Sequence, residues 1–169
     1  MKSFIVLTFI GILTYAYGNY VTIRECENPE PLDGFSASNF FSGTWYVSHV
    51  KSVTSPTVCQ TFTTSQEDNK LITEYVFGKG GKDIIVRCEA EKKKNILLTF
   101  SCKNSQCRTF LTVFTVMDTN YDNYAEFYKC VIFTSGSKAD IYLVIKRESG
   151  NEQIPEKAKS LNLQKCTRS

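Results

Sequence analysis

Hydrophobic and polar positions alternate in short runs along most of this chain. The segment Gly43-Thr44-Trp45-Tyr46-Val47-Ser48-His49-Val50 is rich in β-branched and aromatic residues and predicts a strand. The same texture recurs over 59–64, 71–77, 83–90, 96–103, 108–117, 124–133 and 141–147. Turn-forming clusters separate these runs. Eight strands at short, even spacing, with no long helical period between them, predict an all-β antiparallel sandwich or up-and-down barrel. A parallel α/β sheet would need helices between its strands. Outside the series, 36–41 predicts one helical turn, and 154–162, with Pro155 in the first turn, predicts a short C-terminal helix. Residues 19–37 carry turn chemistry (Asn28-Pro29-Glu30-Pro31, Asp33-Gly34) and predict an irregular strap.

The N-terminus follows another pattern. Lys2, an apolar run over 4–15 and Ala16-Tyr17-Gly18 have the layout of a secretory signal peptide spanning residues 1–18. The run is shorter than the roughly 20 residues a bilayer span needs, and no second one follows, so no membrane anchor is expected. Residues 19–169 then form a single domain that is secreted and extracellular.

Charge and cysteine content narrow the chemistry. The formal net charge is +3, and removing Lys2 with the signal lowers it by one. A balance this mild gives no reason to expect a nucleic-acid partner, which needs clustered Lys and Arg. The one basic run, Lys92-Lys93-Lys94, predicts a solvated hairpin tip. All seven cysteines follow the signal: Cys26, Cys59, Cys88, Cys102, Cys107, Cys130 and Cys166. In an oxidising compartment they read as a disulfide framework with one thiol over. Spacing leaves the connectivity open, Cys88–Cys107 and Cys102–Cys107 included. With no C-x-x-C pair and His49 as the only histidine, no metal site is expected.

Catalytic constellations are missing as well. A triad could be built only on His49, and strand alternation predicts that His49 and Ser48 point to opposite sides. There is no G-x-S-x-G elbow, and Gly78-Lys79-Gly80-Gly81 lies between two strands as a hairpin turn. A non-enzyme is expected.

Gly43-x-Trp45 at the head of the first strand, Asn120-Tyr121-Asp122 in a late turn and Arg147 at the end of the last strand resemble the three short motif regions of lipocalins. The resemblance implies an all-β, eight-stranded antiparallel up-and-down lipocalin barrel with a short C-terminal helix. It implies a Trp45 plug at the closed end, with the Arg147 guanidinium on its face. Three longer stretches are more specific: Glu30-Pro31-Leu32-Asp33-Gly34-Phe35-Ser36, Val53-Thr54-Ser55-Pro56-Thr57-Val58-Cys59-Gln60-Thr61-Phe62-Thr63-Thr64-Ser65 and Tyr121-Asp122-Asn123-Tyr124-Ala125. These resemble the salivary lipocalins of blood-feeding triatomine bugs, the triabin and procalin family. That resemblance implies the bridges Cys26–Cys130, Cys59–Cys166 and Cys88–Cys102, leaving Cys107 as a free thiol. A monomer is expected, with a disulfide dimer through Cys107 as the alternative.

The resemblance also implies function. Such a protein sequesters a small host mediator, an eicosanoid or a biogenic amine, to counter haemostasis or inflammation. The alternative is a triabin-like, surface-mediated inhibitor of a host clotting protease or platelet-activating protein. A further possibility is a saliva protein noticed mainly as an allergen. Closed barrels of eight strands can hold one small ligand. Candidate cavity residues are Tyr46 and Ser48 on the first strand, then Phe62, Tyr75, Phe77, Phe114 and Leu143; each could instead be barrel filling. An eicosanoid carboxylate needs a basic or hydroxyl anchor, for which Arg87, Lys129, Tyr75 and Tyr128 are candidates. An amine needs a carboxylate, for which Glu74 and Glu126 are candidates. Haem is disfavoured and no cofactor is expected. Counting from Cys59, Phe77 stands where the related nitrophorins carry their proximal histidine, and Phe offers iron no lone pair.

Overall fold

The computed structural model describes residues 22–51, 59–79, 82–92, 97–150 and 153–166, and excludes the side chains of 77–79 and 82. The predicted signal, Lys93 and Lys94 of the basic tip, the whole of 53–58 and Gly80-Gly81 lie outside the described residues.

A minimal helix α1 (Ala37–Phe40) leads into β1 (Gly43–Val50), β2 (Thr61–Glu67), β3 (Lys70–Lys79) and β4 (Lys82–Glu91). Then come β5 (Leu98–Asn104), β6 (Thr109–Thr119), β7 (Tyr124–Phe133), β8 (Lys138–Lys146) and the two-residue β9 (Gln164–Lys165). Every consecutive pair from β1 to β8 is antiparallel, and β8 returns to β1 through Tyr46↔Lys146 and Val47↔Ile145, closing an eight-stranded barrel. The barrel outcome is settled by this closure, which leaves neither β1 nor β8 as an open edge.

The β2–β3 hairpin runs further than the pattern suggests. Residues 65–67 read as turn but are strand, because Asp68 (φ 45°) and Asn69 (φ 65°) alone make the reversal. Two residues with positive φ match the right-handed twist of the flanking strands, and Asp and Asn tolerate that region. The C-terminal helical segment forms as a 3-10 turn (Lys157–Leu161), ended by Asn162 at φ 52°. Pro155 lies before the turn and offers its carbonyl to Ala158 N.

β1 is shared between two neighbours. Its first half, Gly43 to Tyr46, pairs with β2, whereas His49 and Val50 pair with β9. A register shift between Val47 and His49 makes the bend. The bridges are Cys26–Cys130, Cys59–Cys166 and Cys88–Cys102, the pairing implied by the resemblance. Cys59–Cys166 ties the C-terminal segment next to β9 to the approach of β2. Cys26–Cys130 ties the strap to the outside of β7, and Cys107 is free and exposed.

The closed end is built around Trp45, which has no exposed surface. Its ring stacks on Phe40 at 5.2 Å and its Nε1 donates to Phe40 O at 3.1 Å. Arg147 covers the other side, with its guanidinium carbon 3.6 Å from the ring centroid. The same guanidinium donates to the carbonyls of Ser42, Thr44 and Tyr121, so one side chain fastens the α1–β1 turn to the β6–β7 turn.

Candidate functional site

Inside the barrel, alternate residues of each strand converge. Phe62, Tyr75, Phe114 and Leu143 belong to the buried interior, together with Trp45, Val47, Phe100 and Phe127. The edge-to-face contacts Phe62–Tyr75 (5.3 Å), Phe62–Phe127 (6.2 Å) and Phe114–Phe127 (5.5 Å) make an aromatic wall across four strands. Such contacts orient the rings as well as burying them.

One cation sits inside this wall. Lys129, on β7 between the inward-facing Phe127 and Val131, is 8% exposed. Its Nζ lies 4.4 Å from the Tyr75 ring centroid, 5.5 Å from that of Phe62 and 6.0 Å from that of Phe114. It donates a hydrogen bond to Tyr75 Oη at 3.4 Å. Among the described residues no carboxylate forms an ion pair with it. Aromatic faces and one hydroxyl compensate an ammonium only partly. Burial accordingly pushes the Lys129 amine down to about 8.

The remaining candidates fall elsewhere. Tyr46 and Ser48 alternate with the inward Trp45 and Val47 and do not join the interior, which corrects their placement as cavity residues. The alternation is anchored by Trp45, so its neighbours cannot share its side. Tyr46 instead lines a polar surface groove at the closed end with Asn39, Asn120, Tyr121, Asp122 and Arg147. Phe77 pairs through its backbone with Ile84, and its side chain lies outside the described residues.

Ser48 and His49 also correct the sequence reading. They do not point apart: the register shift brings His49 Nδ1 to 3.0 Å from Ser48 Oγ. Ser48 Oγ donates its own proton to Val144 O at 3.1 Å, so the hydroxyl serves the β1–β8 seam.

Of the four candidate anchors for a carboxylate, only Lys129 and Tyr75 meet inside the barrel. Arg87 lies on the outer face and pairs with Glu67, Glu74 and Glu89 at 3.0–3.1 Å. Tyr128 is buried under the strap, where its hydroxyl accepts from Glu27 N and donates to Asp140. Glu74 is thus spent on Arg87. Glu126 is buried but alternates with the inward Ala125 and Phe127, opposite Asp118 in register. Burial first, and Asp118 second, raise its carboxyl above the usual range. Neither carboxylate reaches the interior.

Lys129 was legible through the cysteines. If Cys130 is tied to a strap outside the barrel, the residue before it must face in.

The chain matches the Triabin family model over residues 22–161. It is 39% identical to procalin of Hospesneotomae protracta, covering 98% of this chain and 99% of that protein. It is 37% identical to triabin of Meccus pallidipennis, covering 87% and 92%. Among solved structures, the LTBP1 complex with LTC4 superposes with a TM-score of 0.64 at 22% identity, covering 88% of this chain and 97% of that one. At that identity the likeness speaks for the fold alone.

Proposed function

The chain belongs to the triabin family, and from that premise we propose that it is a secreted scavenger of a small, anionic, apolar mediator of the eicosanoid class, held in the barrel and anchored by Lys129. The observation that carries this reading is the buried ammonium with no carboxylate partner among the described residues, set in an aromatic wall beside a phenol. An incoming carboxylate would supply the missing counter-charge in a low-dielectric site, where a charge-assisted hydrogen bond is strong. Tyr75 Oη would offer a second contact. A ligand with a hydrocarbon chain fits Phe62, Phe114 and Phe127 better than a charged amine does. Solved structures of the same fold carry leukotriene C4 in one case and tryptamine in another, so the fold admits either class and the choice of a lipid acid rests on Lys129. Scavenging is stoichiometric and needs affinity rather than turnover. No haem role is proposed.

Titration calorimetry of the oxidised protein tests the reading, with leukotriene C4, a thromboxane mimic, serotonin, noradrenaline and haem as titrants and thrombin run separately. One-to-one submicromolar binding of a lipid acid, lost in Lys129→Met, is the expected result. Heat with serotonin or noradrenaline alone would overturn it.

A second reading has its own observation. Val76 and Ile85, directly opposed on the outer face of β3 and β4, are 47% and 53% exposed, and Leu111 adds 44% on β6. Exposed aliphatic residues flanking the Arg87 ion cluster suit contact with another protein. Heat with thrombin and none with any small titrant would favour that surface.

A further inference from the structure

A buried amine is a nucleophile as well as an anchor. We infer that Lys129 also captures apolar aldehydes covalently, as a Schiff base inside the barrel. The inference shares with the proposed scavenging function the premise that ligands reach Lys129 inside the barrel.

Three features of the site support it. First, the amine is not held by a carboxylate among the described residues, so no ion pair locks it in the protonated form. Second, Lys129 is 8% exposed, and the Phe62, Tyr75 and Phe114 rings within 6.0 Å of its amine favour an apolar substrate. Desolvation of a lysine in a hydrophobic pocket is a recognised route to an activated amine. An amine pushed down to about 8 from 10.5 holds much more of its reactive neutral form near neutral pH. Third, Tyr75 Oη at 3.4 Å is a proton donor and acceptor within reach of the reacting nitrogen.

The chemistry balances without a further reactant. The Nζ lone pair forms a C–N bond to the aldehyde carbon while the C=O π pair moves to oxygen. That oxygen takes a proton, and the nitrogen loses one, giving a carbinolamine. The nitrogen lone pair then completes the C=N bond as the hydroxyl leaves, and the second nitrogen proton passes to that hydroxyl, which departs as water. The products are the imine and one water. Tyr75 is placed to pass the proton between nitrogen and oxygen.

Lys129 is the only lysine described in this setting. Lys146 is also buried, at 5% exposure, but it faces the Tyr124 ring outside the barrel.

The test uses hexanal as the probe, with sodium cyanoborohydride to trap the imine and peptide mapping to locate it. Hexanal carries no carboxylate, so its capture is read independently of lipid-acid binding. Lys129 is expected to be labelled at least tenfold faster than the mean of the exposed lysines, and Tyr75→Phe to slow it severalfold while the circular dichroism spectrum stays unchanged. Leukotriene C4 is expected to protect Lys129. Labelling spread over exposed lysines, with Lys129 no faster, overturns the inference even where leukotriene C4 binds. Fast Lys129 labelling without leukotriene C4 binding upholds it while removing the carboxylate-anchor reading.

Discussion

The Lys129 ammonium lies 4.4 Å above the ring of Tyr75 and donates to the hydroxyl of that same residue. A flexible cation thus spans both the face and the edge of one phenol, with no described carboxylate to neutralise it. The folded state carries a cost here that the unfolded chain does not. Lys129→Met keeps the volume and removes the charge, so it should stabilise the protein by up to about 3 kcal/mol at pH 7. The sign of the pH dependence follows. The folded-state value of about 8 is below the unfolded 10.5, so the unfolded chain binds more protons between them. Stability of the native sequence relative to Lys129→Met should be lowest below pH 8 and recover as pH rises towards 10.5. Urea titrations of the two proteins across that window check it.

Ligand binding should show the opposite slope. A carboxylate needs the protonated amine. Affinity for a lipid acid should be flat below pH 8 and fall as pH rises through that value, until the amine of the complex also titrates. Calorimetry at pH 7, 8 and 9 measures this, and affinity that does not change over the range would remove Lys129 as the anchor.

Arg147 holds the closed end by two means at once, stacking on Trp45 and donating to the Tyr121 and Ser42 carbonyls of two turns. Arg147→Ala should cost about 2–4 kcal/mol, since it removes a cation–π contact and leaves carbonyls unpaired. Arg147→Lys should recover little, because a point ammonium cannot reproduce the planar fork. Trp45 is the single tryptophan, so its emission reports the site directly. A red shift in the folded Arg147→Ala protein is the expected signature.

Glu126 offers a separate pH test outside the barrel. Its carboxyl is raised first by burial and then by Asp118, so the folded protein binds its proton more tightly than the unfolded chain does. Stability is therefore lost as pH rises above the unfolded value of 4.5. Glu126→Gln should raise Tm at pH 7 and leave it unchanged below pH 4, as scanning calorimetry would show.

The disulfides should rank by the loops they close. In the chain-entropy account, loops of about 100 residues contribute about 4.7 kcal/mol and a loop of about 15 contributes about 3 kcal/mol. Cys26–Cys130 closes a separation of 104 and Cys88–Cys102 one of 14. Paired Cys→Ala replacement of the first should therefore cost more. Cys107 is exposed, and one equivalent of thiol should react with Ellman's reagent in the native protein. Non-reducing electrophoresis then reads whether it pairs between chains.

The fold was legible in the sequence because strand alternation and turn chemistry are local properties. The eight runs mark the strands without any long-range contact, whereas Trp45 and Arg147 take their structural meaning from a contact made across the closed barrel. Strand ends were less legible, as at 65–67, because the length of a hairpin depends on which two residues take positive φ. Tyr46 and Ser48 were misplaced although Trp45 already fixed the alternation. Ser48 and His49 meet because of a register shift imposed by pairing with both β8 and β9, which no run of residues along β1 announces. Lys129 was one of four candidate anchors, chemically equivalent on paper. The Cys130 bridge and strand alternation turn Lys129 inward and Tyr128 outward, but only barrel closure, bringing β3, β6 and β7 to bear on one point, put Lys129 beside Tyr75. Alternation in sequence divides residues between two faces. Which face becomes the interior, and which side chains meet there, is decided when the sheet closes on itself.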